Sequence, residues 1–353
     1  MVIKSLIEKV LEAGGNELHM KIGSKPLMRI KNNTLKQMDL PALIEKDMKD
    51  LVDELLKKDE IAKFEKMGIF ETNVFGKPPC NFRLSLFHSQ QKPIAYIKII
   101  NGNIPSLNEI GFPEHVANLL SAAKGLFILS GPARSGISTS MAALVEFMNN
   151  KFRRHILVLE DPIEFYYEPK ESIISQRQFS KDIYKIEQGI NFAKRMDVDT
   201  LVLGDLKRDI PFKNVIEYVA GGHLVFLCMQ TLGITSTLEK LVYSFPEDYR
   251  DYVNQVLAEN LLGVCSQALI TNAVGGKKVP VHEILIPNKN TSGIISMGKY
   301  AQIRNNIATA GGGSILFDTD KGRPGSVAEK LAKGDIDKFS ADQFLDYYKS
   351  TLA

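Results

Sequence analysis

With 353 residues, 44% hydrophobic and 24% charged, the chain has the composition of an ordered globular protein and exceeds the length at which one core usually stops growing, so two domains are expected. Forty-four basic and 41 acidic residues leave a net charge of +3, which excludes a general nucleic-acid or anionic-membrane surface. No apolar run of about 18 residues occurs, and charges every few residues near the N-terminus exclude a secretory segment there, so a cytosolic protein is expected.

In chain order, Ile3, Leu6, Ile7, Val10 and Leu11 share one helical face and Gly14-Gly15 ends it, so a helix opens the protein. Glu17-Leu-His-Met-Lys-Ile22 and Pro26-Leu-Met-Arg-Ile30 alternate as short strands, with Asn32-Asn33 as a turn after them. Residues 46–67 read as one charged helical segment, and Asn81-Phe-Arg-Leu-Ser-Leu-Phe-His88 with Ile94-Ala-Tyr-Ile-Lys-Ile-Ile100 as a strand pair. Residues 1–100 are therefore expected to form a small α+β domain, 101–112 a linker, and 113–353 a second domain. There, Gly125-Leu-Phe-Ile-Leu-Ser130, His155-Ile-Leu-Val-Leu-Glu160, Thr200-Leu-Val-Leu-Gly204 and His223-Leu-Val-Phe-Leu-Cys228 are continuous apolar strands separated by helical stretches. That pattern predicts a parallel sheet covered on both faces, a doubly wound α/β fold. Gly311-Gly-Gly313 and Lys321-Gly-Arg-Pro324 mark loops before a charged helical tail.

Several features read as structural. Cys80, Cys228 and Cys265 lack pairing or zinc spacing and are expected as buried thiols. Lys151-Phe-Arg-Arg154 reads as a solvated helix end, with no nucleic-acid partner implied. His19, His88, His155 and His282 lie beside strands without metal-ligand spacing and read as core or edge residues.

The turn after the first strand of the second domain carries the chemistry. Gly131-Pro-Ala-Arg-Ser-Gly-Ile-Ser138 fits G-x-x-x-x-G-K-[ST] except at Ile137, where the motif has the lysine that reaches the β- and γ-phosphates of a nucleotide. A strand-turn-helix with glycines at 131 and 136 directs backbone N–H groups and a helix N-terminus at an anion. Gly131, Pro132, Ala133, Arg134, Ser135, Gly136, Ile137, Ser138 and Thr139 are the candidate ATP- or ADP-binding residues, with Ser138 as a Mg²⁺ ligand. Without the lysine's charge phosphoryl transfer should fall severely, since that catalysis is positioning plus electrostatics. Arg134 is the nearest substitute cation in sequence, and an outward, solvated side chain is the geometry expected of it. Asp161 and Glu164 flank a proline at a strand's C-terminal end, the rim where ligands bind in open α/β sheets.

The order of this loop, Glu160-Asp-Pro-Ile-Glu-Phe165, Ser175-Gln-Arg-Gln178, Leu201-Val-Leu-Gly-Asp-Leu-Lys-Arg-Asp209 and Gly222-His-Leu-Val-Phe226 resembles the secretion-superfamily motor ATPases, and among them the PilT-like retraction ATPases of type IV pili. Asn16-Glu-Leu-His-Met20 and Val281-His-Glu-Ile-Leu285 extend the resemblance over nearly the whole chain. It implies a PAS-like N-terminal domain, a RecA-like P-loop NTPase domain, a hexameric ring with ATP between subunits, and a place beside the pilus inner-membrane platform protein.

Carried over residue by residue, the resemblance makes Glu160 and Asp161 groups that polarise water or Mg²⁺, served by Arg177. Asp205, a Mg²⁺ ligand candidate, stands where the family has glutamate; its carboxylate is one methylene short. Of the family's two box histidines, His223 is present and Gln230 replaces the other, which removes a proton carrier. Arg83 matches one arginine offered across the subunit interface, while Gln91 and Lys98 stand at the others. Asn290-Thr-Ser-Gly-Ile-Ile-Ser-Met297 occupies the place of a retraction signature and lacks both its arginines. Losses concentrated where chemistry happens, on an intact scaffold, point to a pseudo-ATPase with a structural or regulatory role in pilus retraction, in a homo- or hetero-hexamer with paralogous motor ATPases. The alternative is an active hexameric ATPase that binds ATP through the deviant loop.

Overall fold

The computed structural model describes all residues except 1–2, 31–33, 75–81, 101–103, 180, 207–208, 273–275, 277, 311–312, 321–322 and 352–353. The Asn32-Asn33 turn, Cys80, Asn81, Lys207, Arg208 and parts of the two late glycine loops fall outside the described residues. The chain divides into two compact units, Met1–Asn103 and Ile104–Ala353.

The first unit contains α1 (Ile3–Glu12), β1 (Gly15–Lys21), β2 (Leu27–Ile30), β3 (Leu35–Gln37), α2 (Glu45–Leu55), α3 (Lys58–Met67), β4 (Ile69–Val74), β5 (Phe82–Ser89) and β6 (Lys92–Ile99). Its strands form one sheet in the order β3-β2-β1-β6-β5-β4, antiparallel throughout. Leu18, Met20, Leu84, Leu86, Ala95 and Ile97 alternate onto one face and pack against Ile7, Val10, Met48 and Leu51 of the helices. The helical segment expected over 46–67 is two helices, because Leu56 turns into the core with an extended backbone and Glu60 caps the next helix through the Lys57 amide at 2.9 Å.

The second unit contains α4 (Glu114–Ala117), a short 3₁₀ turn (Asn118–Ser121), β7 (Gly125–Ser130), α5 (Ile137–Lys151), β8 (His155–Asp161), β9 (Ile173–Gln178), α6 (Ile186–Ala193), β10 (Thr200–Leu206), α7 (Phe212–Ala220), β11 (Leu224–Met229), α8 (Ile234–Tyr243), α9 (Glu247–Asn260), β12 (Leu261–Thr271), β13 (Lys278–Leu285), α10 (Lys289–Ser296), α11 (Ala301–Ala310), α12 (Ser326–Ala332) and α13 (Lys338–Ser350). The sheet order is β13-β12-β7-β11-β10-β8-β9, parallel except for the antiparallel edge strand β13.

Both faces of this sheet are buried, which is why its central strands read as unbroken apolar runs. Leu126, Ile128, Leu157, Leu159, Leu201 and Leu203 face one core with α6 to α11. Phe127, Leu129, Ile156, Val158, Val202 and Phe226 face the other, with α5. Leu107 and Phe112, in the segment expected as a linker, belong to that second core.

One further reading is corrected. Arg154 is not a solvated helix-end charge: its guanidinium donates to the carbonyls of Leu120, Ser121 and Ala122, each at 2.9 Å, and lies 4.7 Å over the Phe152 ring. The Ser175-Gln-Arg-Gln178 motif is itself a strand, β9, at the sheet edge.

The C-terminal helices are tied to the sheet by buried polar groups. Glu283, 3% exposed, accepts from the Ile234 amide at 2.8 Å, capping α8, and from the Tyr348 hydroxyl of α13 at 2.6 Å. Arg304 Nη2 of α11 donates to both carboxylate oxygens of Asp318, each at 2.6 Å. Tyr348→Phe withdraws the donor from one buried carboxylate oxygen and is expected to cost about 1–3 kcal/mol, read as a lowered urea midpoint at unchanged slope.

Candidate functional site

β7 and α5 are joined by the glycine loop at the C-terminal edge of the parallel strands. Gly131 begins the turn by donating to the Met229 carbonyl at 3.1 Å. Only glycine fits there: a Cβ on Gly131 would lie 2.3 Å from Ser135 Oγ and 2.5 Å from the Gln267 carbonyl oxygen. Arg134 at φ +68° and Gly136 at φ +84° take the left-handed conformation on either side of Ser135, the alternation that lines up backbone N–H groups as an anion nest. Thr139 and Ser138 follow, half-buried, in the first turn of α5, while Ala133 is exposed and Pro132 half-buried.

Ile137 is 5% exposed and packs in the core with Leu129, Met141 and Cys228. Its Cγ2 lies 2.9 Å from the place a Gly131 Cβ would take. The aliphatic group is therefore folded beneath the loop and supplies no charge to its mouth. Arg134 is exposed, as the sequence led us to expect of it.

Anionic groups gather at the neighbouring strand ends. Glu160, at the end of β8, is 6% exposed, and Gly204 of β10 leaves room for it: a Cβ on Gly204 would lie 2.5 Å from Glu160 Cγ. Burial first, then the charges of Glu164 and Asp205, push the Glu160 carboxyl up to about 8, so it holds its proton at neutral pH. Its Oε2 has no hydrogen-bond partner among the described residues. Asp205 accepts from Gln230 Nε2 at 2.9 Å, so the two residues that the resemblance sets at a glutamate and a histidine position engage one another. Beside this pair lies a cavity of about 960 Å³ whose lining includes Asp205, Cys228, Gln230, Phe212, Lys240 and Phe245.

The remaining candidates separate. His223 precedes the first residue of β11 and stacks on Tyr218 with ring centroids 4.1 Å apart, whereas the loop and Gln230 lie past the strand's other end. Six residues of strand put about 20 Å between the two ends, so His223 is not part of this cluster. Arg177, on β9, donates to the Asp182 carbonyl at 2.8 Å and lies 5.6 Å from the Phe192 ring. Asp161 is half-buried at the end of β8, and Glu164 half-buried in the segment that follows. Arg83 is buried on β5 in the first unit, paired in register with Lys98, and Gln91 is exposed at φ +61° in the β5–β6 turn. Residues 290–297 fall on α10 and its C-cap; Asn288 caps the helix and Ile295 is in the core.

The sequence reading missed Gln267, a lone amide in the apolar strand β12, 2% exposed and bonded to the loop. It also missed the buried hydroxyl chain in which Thr237 Oγ1 meets Ser130 Oγ at 2.9 Å and Thr231 Oγ1 at 2.7 Å, and Gln176, whose amide fixes the segment after Glu164 through the Tyr167 amide and the Phe165 carbonyl.

The loop's fit to a phosphate rests on its own atoms. Ser135 Oγ is buried and has no partner among the described residues, an unmet donor within the turn. No group of three or more His, Cys, Asp or Glu able to hold a metal ion occurs among the described residues.

Comparison with known proteins adds to this geometry. The family model of the type II/IV secretion system protein matches residues 75–308. The chain belongs to that family. It is 30% identical over 334 residues to the type IV pilus retractation ATPase PilT of Pseudomonas aeruginosa, covering 94% of this chain and 95% of that one. It is 28% identical to a twitching motility protein of Neisseria gonorrhoeae, over 87% of this chain and 83% of the relative. The crystal structure of the pilus retraction motor PilT with bound ADP superposes with a TM-score of 0.86 at 26% identity, covering 97% of this chain and 96% of that one. The PAS-like unit followed by a RecA-like P-loop unit, implied by the sequence motifs, is the fold of this family member. No helix among the described residues is long and apolar enough to cross a membrane.

Two outcomes follow from the site. Arg134→Gly removes a side chain from a left-handed position, and the relief, less the entropy a glycine costs, should stabilise the protein by about 0.5–1 kcal/mol in urea denaturation. Glu160 binds its proton more tightly folded than unfolded, so its contribution is full below pH 4.5 and is lost as pH rises toward 8. Relative to Glu160→Gln, the unsubstituted protein should lose on the order of 2–4 kcal/mol between pH 5 and 8.5, while the glutamine variant's stability stays flatter across that window.

Proposed function

We propose that the protein is a PilT-like subunit of the type IV pilus retraction machinery that keeps the nucleotide-binding scaffold and does not turn over ATP at a useful rate. The observation that carries this reading is Ile137, buried under the loop where the motif places an ammonium. Its relatives are named as a retraction ATPase and a twitching motility protein, which supports a role in pilus retraction.

The loop offers the phosphates backbone and hydroxyl donors, and its one cation, Arg134, is exposed. Residues 131–139 would hold the phosphates of ADP or ATP through backbone N–H groups, the Ser135 hydroxyl and the α5 N-terminus, and Ser138 with Asp205 would serve a weakly held Mg²⁺. A bound nucleotide supplies the triphosphate's negative charge; Glu160, protonated, withholds further negative charge from that place, and Gln230 restrains Asp205. What is missing is a cation to stabilise the charge that builds on transferring a phosphoryl group. The subunit then acts by shape. It packs in a hexameric ring, alone or with a paralogous motor ATPase, against the inner-membrane platform of the pilus machine.

Steady-state phosphate release by the purified protein should stay at background. Ile137→Lys restores one charge-assisted hydrogen bond, about 1.5–3 kcal/mol, and should tighten ADP binding about 10–100-fold without restoring turnover, because Asp205 and Gln230 remain. Turnover above background that disappears in Asp205→Ala would establish the competing reading of a working motor.

A further inference from the structure

We propose that Gln267 is a positioning residue that holds the 131–137 loop in its phosphate-accepting shape, so that the loop is set by the protein's own hydrogen bonds and needs neither a bound anion nor a lysine to keep it. The proposal stands on the loop's geometry and is independent of whether ATP is turned over.

Gln267 lies buried in the middle of β12, the strand paired directly with β7. Its Nε2 donates to the Ser135 carbonyl at 2.7 Å. Its Oε1 accepts from Ser140 Oγ at 2.7 Å and faces His282 Nε2 at 3.1 Å. A backbone carbonyl can only accept, so the amide orientation is fixed from that side, and Oε1 must then accept from both other partners. His282 consequently carries its proton on Nε2. Burial, with the charge of Lys330 adding to it, lowers the His282 pKa to about 4, which keeps the ring neutral and the bond intact at ordinary pH. The His282 amide donates in turn to Ser326 Oγ of α12 at 3.2 Å.

One amide thus ties the loop to α5 one turn further on and to β13. The tie falls where the loop most needs it. Ser135 sits between the left-handed residues Arg134 and Gly136, and its carbonyl is an acceptor in a turn whose purpose is to present donors. Turned into the loop it would repel a phosphate; bonded to Gln267 it is held back in the core. A Cβ on Gly136 would lie 3.1 Å from Gln267 Nε2, so the amide also sets how closely the loop approaches β12.

The test is hydrogen exchange on the full-length protein. Gln267→Met keeps the side-chain volume and removes all three hydrogen bonds; the amides of 133–137 should exchange at least about 10-fold faster, while β12, β13 and the body of α5 keep their protection. Ser140→Ala, a milder change that removes one donor to Oε1, should accelerate the same segment by a smaller factor. Unchanged exchange in 133–137 in both variants, or acceleration spread evenly over the second unit, would overturn the proposal and leave Gln267 an ordinary core residue. Added ADP should slow exchange in that segment of the unsubstituted protein at least 10-fold more weakly for Gln267→Met at equal concentration. If ADP has no effect on the unsubstituted protein, nucleotide binding under the proposed function fails, and the exchange difference between variants still decides the role of Gln267.

Discussion

The burial of Ile137 beneath the glycine loop is the contact on which the rest of the site turns. A side chain of this type contributes about 1.5–3 kcal/mol when fully buried, and here it joins the first turn of α5 to the core that also holds Leu129 of β7 and Cys228 of β11. An ammonium in the same place could not be buried without a paired anion, since an uncompensated interior charge costs several kcal/mol. The residue thus shifts the loop from an arrangement completed by a ligand's charge to one completed by packing. The loop keeps its shape with an aliphatic side chain, and no charge, at position 137.

That shift has consequences for the acids nearby. Glu160, Glu164 and Asp205 converge on a rim with no lysine in the loop to offset them, and like charges at short range in a poorly hydrated place do not all ionise. The proton on Glu160 relieves the repulsion, and the Gln230 amide engages Asp205 without adding charge. Together they leave the rim with fewer ionised groups than its three carboxylates would give, and with one of the remaining charges, Asp205, hydrogen-bonded to a neutral amide.

Much of the scaffold was legible because it obeys simple periodicities. β7, β8, β10 and β11 announce a two-sided buried sheet by their unbroken apolar runs, and the strand-turn-helix around Gly131 is readable from glycine spacing alone. Residues whose roles depend on partners distant in sequence were not legible. Arg154 looked solvated because nothing local says that three carbonyls from residues 120–122 point at it. His223 was a candidate because the resemblance set it in a histidine box, although a six-residue strand carries it to the opposite edge. Residues 46–67 kept a helical charge pattern through Leu56, and only the packing of that leucine shows the break.

Gln267 shows what signal was available and unused. A single amide in a mostly apolar eleven-residue strand is costly to bury unless its donors and acceptor are met, so its presence there already implies partners. Those partners are Ser135 in the loop, Ser140 on α5 and His282 on β13, more than one hundred residues away in two cases. The antiparallel β12–β13 pair is thus not mere edge closure on a parallel sheet. It carries the polar group that shapes the loop, and through His282 and Ser326 it joins that loop to the C-terminal helices. Glu283, the next residue on β13, joins α8 to α13 in the same way. Two adjacent residues of one edge strand therefore connect the C-terminal helices to both segments that border the site, the glycine loop through His282 and the start of α8 through Glu283.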